Sequence, residues 1–357
     1  MILQVLQQWY MRYFSDPEAV YLLVFIMAAV LVMAFFGEIL TPILASIVIA
    51  YVLDWIAGNL EKWHVPHSVA VWLVFLLFMS VIVISALWIV PLLARQVTSL
   101  FSELPDMIAH GQQTFYLLPE RYPEFISQEQ IDELVILARS ELSQVGQHVL
   151  SFSLSSIMTL MTFILYVFVV PLIVYFFLKD RDTILQWCGG FLPQNHSLLS
   201  RVWCEVDMQL GNYIRGKVAE FFIVLIMTYI VFALFGLQYS FLLSVLVGLS
   251  IFIPYIGGIV TTIPVVIVAF FQWGWGLEFI WLMVAYAITQ IIDGNIIVPL
   301  LFSEAIDMHP VVIILAIIVF GGLWGVWGMF FAIPLAILIK ALIEAWPRAG
   351  HETAGSA

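Results

Sequence analysis

Charge is what this sequence has least of: of 357 residues only 10% are Asp, Glu, Lys or Arg, while 63% are hydrophobic. Soluble domains carry about 25% charged residues, so the shortage excludes an ordinary soluble globule and predicts an all-α polytopic membrane protein. The charges present sum to −12, which excludes nucleic acid as a partner. Cysteine is nearly absent. Cys188 and Cys204 form no CxxC pair and stand in no Cys/His cluster, so neither a disulfide nor a structural metal is predicted, and both fall in a stretch read below as cytoplasmic, where thiols stay reduced. No HExxH occurs, which excludes a zinc metalloprotease, and no Walker A sequence occurs, so ATP does not drive the protein directly. An intramembrane aspartyl dyad would need two carboxylates at depth, and Asp293 has only the distant Asp54, near a span end. A Ser/His pair would have only His309, at a boundary. The chain is predicted not to be an enzyme and to need no cofactor beyond a coupling ion, H+ or Na+.

What remains is long apolar runs, with thirteen Trp and thirteen Tyr to form interfacial belts. Residues 1–18 mix aromatic and charged side chains and read as a short interfacial helix. No small-x-small site follows the first apolar run, so that segment is expected to stay in the mature protein. Spans are predicted at about 19–36, 39–57 and 69–93, with a turn at Gly37-Glu38, giving an N-terminal transmembrane region over 1–91. From 92 to 155 the chain turns acidic, with Arg95, Arg121 and Arg139 against eight carboxylates. Apolar residues recur there at helical spacing (Val97, Leu100, Leu104, Ile108, Phe115, then Ile131, Leu134, Leu142, Val149), which predicts a small extracytoplasmic insert of two amphipathic helices broken near Pro119 to Pro123. Their apolar stripes want a partner, either each other or a neighbouring subunit, and a homo-oligomer is expected. A further span over 156–178 ends at Lys179-Asp180-Arg181. A cytoplasmic amphipathic region follows over 179–217, carrying Val202, Val206, Leu210 and Tyr213 on one face.

That region holds Lys179, Arg181, Arg201, Arg215 and Lys217, five of the chain's twelve basic residues. The positive-inside rule places it in the cytoplasm. Counting crossings from there puts the acidic insert outside and both termini inside.

The C-terminal half, 218–345, is read as the transport region, with 346–357 as a cytoplasmic tail. One full span runs from Phe221 to about Leu237. The next apolar piece, 241–253, reaches only about 20 Å at 1.5 Å per residue, short of a bilayer core of about 30 Å. It ends at Pro254-Tyr255-Ile256-Gly257-Gly258 and resumes from Ile259. The pattern recurs where 311–320 breaks at Gly321-Gly322 and resumes beyond Gly325. Either these are irregular spans or they are two re-entrant helical hairpins beside about six full transmembrane helices. In the second case 218–272 and 277–342 form an inverted repeat, and paired Gly/Pro-interrupted segments point to a transport site. The glycines Gly322, Gly325 and Gly328 suit close helix packing or contact with a solute.

Between the breaks lies an apolar run that contains Gln290, Asp293, Gly294 and Asn295. A carboxylate at membrane depth is costly and marks a pathway or a partner; the alternative is an Asp that caps a helix break beside Gly294. No Lys or Arg occurs between Lys217 and Lys340, so Asp293 is expected to have no fixed cation in this half. Arg215 and Lys217 read as interface anchors, with Glu220 one turn further in and able to pair with either. The absence of fixed cations favours a monovalent cation or a neutral polar solute over an anion.

Several stretches, in order, carry a resemblance: Pro42 and Tyr51; Tyr175-Phe-Phe-Leu-Lys-Asp-Arg181; Gly211-Asn-Tyr-Ile-Arg-Gly-Lys217; Ile253-Pro-Tyr-Ile-Gly-Gly258; Ile263-Pro264; Gln290 to Pro299; His309-Pro310; Gly321-Gly-Leu-Trp-Gly325; and Ile333-Pro334. Together they cover nearly the whole chain and resemble the autoinducer-2 exporter family of bacterial permeases. The resemblance implies a transporter of the bacterial inner membrane. Some members are linked to export of the signal autoinducer-2 and others look like sodium or lithium/proton antiporters, so ion-coupled transport by alternating access is expected, with signal export, or a passive channel or oligomeric scaffold, as the alternatives.

Overall fold

A computed structural model describes residues 17–116, 157–190, 197–302 and 308–345. The expected interfacial helix at the N-terminus, the second helix of the insert and the C-terminal tail lie outside these residues. Among the described residues every regular element is helical. Side chains this apolar leave no water to satisfy backbone groups, and a helix satisfies them within the segment.

In chain order the helices are α1 (Pro17–Glu61), α2 (His67–Ile84), a π-helical turn (Ser85–Ile89) and α3 (Val90–Tyr116). Then come α4 (Ile157–Lys179), α5 (Arg181–Gly189) and α6 (Ser197–Phe235). The last group is α7 (Ser240–Ser250), α8 (Ile256–Trp273), α9 (Leu277–Ile292), a second π-helical turn (Asp293–Ile297), α10 (Val298–Phe302) and α11 (Pro310–Ala345). Six helices are long and apolar enough to cross a membrane, by length and composition: Ile39–Glu61, His67–Glu103, Val202–Phe235, Ile256–Trp273, Leu277–Phe302 and Pro310–Glu344.

Three expectations change. The turn at Gly37-Glu38 is absent, and α1 runs through it from Pro17 to Glu61. The count of crossings that put the N-terminus inside rested on that turn. Gly37 is a packing glycine: a Cβ there would lie 1.4 Å from Nε1 of Trp324. Second, the amphipathic face carrying Val202, Val206 and Tyr213 and the span beginning near Phe221 are one helix, α6. Third, α11 is interrupted at Gly325 (φ 61°, ψ −137°) and not at Gly321-Gly322.

By Cα proximity the chain divides into two compact units. The first contains Met1–Phe75, Phe168–Gly216 and Phe302–Ala357. Here Val202 and Val206 of α6 pack on Ala341 and Leu342 of α11, and Tyr175 of α4 sits between the rings of Trp72 and Phe75 at 5.4 and 5.1 Å. Within α11, Ala316, Ile317, Ala332 and Ala336 form one buried cluster. In a straight helix positions 316 and 332 would be about 24 Å apart, so the chain doubles back at Gly325. Glycine makes this possible twice over. Gly325 takes the positive φ that a side chain disfavours, and Gly328 lets the arms close: a Cβ there would lie 1.8 Å from the Phe320 carbonyl oxygen.

The second unit contains Leu76–Val167 and Lys217–Leu301. Its core joins Val224 and Phe232 of α6, Leu243 and Val247 of α7, Val265, Val268 and Ala269 of α8, and Leu282 and Tyr286 of α9. Leu100 of α3 packs against it. Gln96 Oε1 accepts the Leu242 N–H in the first turn of α7 at 2.9 Å, satisfying one of the donors that a helix start leaves open. Outward-facing Trp72, Leu76, Leu77, Phe222, Ile226 and Ile230 are about half exposed, an apolar surface of the kind a bilayer covers.

Candidate transport site

The site grows from two interruptions in the second unit. The first separates α7 from α8. Tyr255 stands there at φ 64°, a conformation uncommon for a residue with a side chain. The arms on either side then close tightly: a Cβ on Gly257 would lie 1.8 Å from the Ser250 carbonyl oxygen. Thr261 and Thr262 donate their hydroxyls to the Gly257 and Gly258 carbonyls at 3.0 and 2.7 Å. These bonds occupy acceptors next to a helix break, where backbone groups lose their helical partners.

The second interruption is the π-helical turn that begins at Asp293. The Val298 N–H reaches back five positions to the Asp293 carbonyl, so the turn holds one more residue than an α-helix would. Such single turns re-aim side chains and are frequent at functional sites. Asp293 Oδ1 is buried and finds no hydrogen-bond partner among the described residues. Gly294 and Asn295 are exposed; Asn295 Nδ2 donates to the Ile291 carbonyl of its own helix at 3.0 Å. Gln290 faces the other way. Its Nε2 donates to the Tyr286 hydroxyl at 2.9 Å, which lies 3.3 Å from the Thr262 hydroxyl. A relay of polar side chains thus ties α9 to Gly258 beside the first break. Gly258 lies against Gln290, with Nε2 3.6 Å from where its Cβ would be.

The basic partner comes from α6, which packs on α9 through the rings of Phe232 and Tyr286 at 5.6 Å and on α7 where Gly248 meets Leu225 and Phe221. Lys217 Nζ donates to Glu220 Oε2 at 2.7 Å, with side-chain exposures of 10% and 2%. The same ammonium donates to the Ile251 carbonyl at 3.1 Å, at the C-terminal end of α7. Lys217 also attracts Asp293, and the Glu220 and Asp293 carboxylates repel each other. The expectation that Asp293 has no fixed cation is therefore corrected: helix packing brings Lys217 within electrostatic reach across a long separation in sequence. Glu220 takes Lys217 as its partner. Arg215, half-buried, donates to Asn212 Oδ1 at 2.6 Å in the first unit.

Of the residues singled out at the breaks, Pro254, Tyr255, Gly257 and Gly258 surround the α7–α8 interruption. Gly321 and Gly322 lie in the first arm of α11, where Gly321 packs against Met329 and Gly322 meets nothing within 4 Å of its Cβ position; Gly325 makes the turn. The first unit also holds a polar cluster not singled out from sequence. Tyr51 donates to Asp207 Oδ1 at 2.5 Å, and Arg181 donates to Asp54 Oδ2 at 2.8 Å. The signal was the spacing of Tyr51 and Asp54, one turn apart on α1 and so on one face.

A carboxylate oxygen without a donor, beside a helix break and a buried Lys–Glu pair, is an oxygen-rich environment that suits a small cation or a proton.

Comparison with known proteins agrees along most of the chain. The sequence model described as "AI-2E family transporter" matches residues 22–348. "Putative permease PerM" of Escherichia coli strain K12 is 45% identical over 346 residues, covering 97% of this chain and 98% of its own. "Putative transport protein YueF" of Bacillus subtilis is 26% identical over 319 residues, 86% of this chain and 84% of its own. "AI-2 transport protein TqsA" of Escherichia coli is 23% identical over 319 residues, 87% of each.

Proposed function

The chain belongs to the AI-2E transporter family, and from that premise we propose that it is a secondary transporter of the bacterial inner membrane. It couples a proton or sodium ion to movement of a small solute or monovalent cation by alternating access, with Asp293 at the coupling site and Gln290, Gly294 and Asn295 around it. The observation that carries this reading is the buried, unpartnered Asp293 Oδ1 inside an apolar helix long enough to cross a membrane. An ionised oxygen in that setting needs a positive partner, and one that arrives and leaves turns the need into transport.

Two helical hairpins that enter and leave the membrane on one face complete the proposal. Helix α7 has 11 residues and so reaches about 16 Å; the first arm of α11, 310–324, reaches about 22 Å; both fall short of a hydrocarbon core of about 30 Å. One offset relates the two hairpins: Ser240, Ser250, Tyr255 and Pro264 correspond to Pro310, Phe320, Gly325 and Pro334 at 70 residues further on. That single register favours an inverted repeat, whose interface is the usual place for a substrate. It also pairs Glu220 with Gln290.

The basic stretch 179–217 and the end of α11, with Lys340, face the cytoplasm in this reading, and the acidic segment after α3 faces outward. Lipid covers the apolar helix faces, and the amphipathic insert serves a homo-oligomer. A second reading is export of a neutral signal molecule. It is favoured by the printed name of TqsA, an AI-2 transport protein, and by the absence of Lys and Arg between Lys217 and Lys340.

Everted membrane vesicles carrying the intact protein and a pH-sensitive dye test the first reading. Added Na+ or Li+ is expected to discharge an imposed proton gradient. A gradient that stays unchanged, with the protein inserted in full, would remove ion antiport and leave the signal-export reading.

A further inference from the structure

We propose that Lys217 is a tethered cation of the Asp293 site: between exchanges its ammonium holds the place beside Glu220 and Asp293 that a transported monovalent cation takes. This rests on the reading of Asp293 as a transport site and adds to it the class of ion and the group that competes with that ion.

Three observations meet here. First, the Lys217–Glu220 pair is buried on both sides, with side-chain exposures of 10% and 2%. A lysine serving only as an interface anchor would carry its ammonium out to water; this one turns inward. Second, the ammonium faces two carboxylates, those of Glu220 and Asp293. One positive charge against two negative leaves a net charge of −1, which one monovalent cation neutralises and a divalent cation would overshoot. Third, the Asp293 oxygen without a donor supplies a ligand that Lys217 does not use up. Sodium-sized cations take oxygen ligands, and the groups gathered here are two carboxylates and the Ile251 carbonyl.

The same geometry links occupancy to shape. Lys217 Nζ bridges Glu220 and the Ile251 carbonyl at 2.7 and 3.1 Å, so one ammonium holds both the carboxylate and the end of α7. A cation that binds the carboxylates pushes the ammonium away from them and loosens its hold on Ile251. The α7–α8 break is then freed when the ion is bound and fastened when it has left. That is the differential contact a two-state transporter requires.

Thermal unfolding of the detergent-purified full chain, titrated with NaCl against choline chloride at constant ionic strength, reads Na+ binding through the stability it adds. Lys217→Gln removes the competitor, and the Na+ concentration for half of the stabilisation is expected to fall about tenfold or more, as loss of one nearby charge allows. Lys217→Arg, which keeps the charge, is expected to stay within about twofold of the intact protein. Glu220→Gln leaves Asp293 alone with Lys217, and half-saturation is expected to rise about tenfold. An unchanged or weaker Na+ response in Lys217→Gln overturns the proposal; should that variant not fold, an unchanged response in Glu220→Gln overturns it. If Asp293→Asn abolishes the Na+ response in the same assay while Lys217→Gln leaves it unchanged, the transport site stands and the tethered cation falls. A full response in Asp293→Asn removes both.

Discussion

Lys217 and Glu220, one turn apart on α6, form a 2.7 Å ion pair whose carboxylate side chain is 2% exposed. Taken singly, each is a charge that a largely apolar segment should not tolerate. Together they neutralise each other, and the Ile251 carbonyl takes a further donor of the ammonium.

Breaking the pair from one side should therefore do more harm than removing it. Glu220→Ala is expected to destabilise the protein by about 3–5 kcal/mol, because it strands a buried ammonium. The Lys217→Ala/Glu220→Ala double variant is expected to recover much of that loss. Thermal unfolding in detergent of both single variants and the double variant measures the difference.

The glycines at the two breaks should separate by what surrounds them. Gly257→Ala and Gly328→Ala would each drive a Cβ to 1.8 Å from a carbonyl oxygen of the facing arm, and backbone yields less readily than a side chain. A loss of about 1–3 kcal/mol is expected for each. Gly322→Ala meets nothing within 4 Å and is expected to be neutral or to stabilise by up to about 1 kcal/mol, since it replaces a helical glycine. Melting temperatures of the three variants rank them.

Tyr286 holds the polar link between α9 and the α8 arm. Tyr286→Phe removes the hydroxyl that Gln290 donates to and that Thr262 approaches. The expected cost is about 0.5–1.5 kcal/mol, with faster hydrogen exchange at the start of α8 than in the intact protein. Thr289→Val, on the same helix, removes a hydroxyl bonded only to the Ala285 carbonyl of its own turn. It is expected to leave α8 exchange unchanged.

Much of the helical organisation was legible because apolar length speaks directly of span. The interruption near Pro254 was legible too, since proline and paired glycines end helices for local reasons. The interruption in α11 was misplaced by a few residues: Gly321 and Gly328 serve packing while Gly325 serves the turn, and composition alone does not tell a glycine that admits a neighbour from one that reverses the chain. The same ambiguity turned Gly37, which makes room for Trp324, into an expected turn. The π-helical turn at Asp293 left no trace in the periodicity, because one extra residue in an apolar helix changes which face is presented without changing its hydrophobicity. The approach of Lys217 to Asp293 is tertiary. It follows from α6 packing against both α7 and α9, which no local pattern encodes.

The central claim is that Asp293 carries the coupling ion, and dye-reported proton movement in everted vesicles tests it most directly when the intact protein is compared with Asp293→Asn at matched insertion. Asparagine keeps the size and removes the charge. The account predicts that Na+ or Li+ evokes proton flux through the intact protein and that the flux is lost in the variant. Equal cation-evoked flux through both would contradict it.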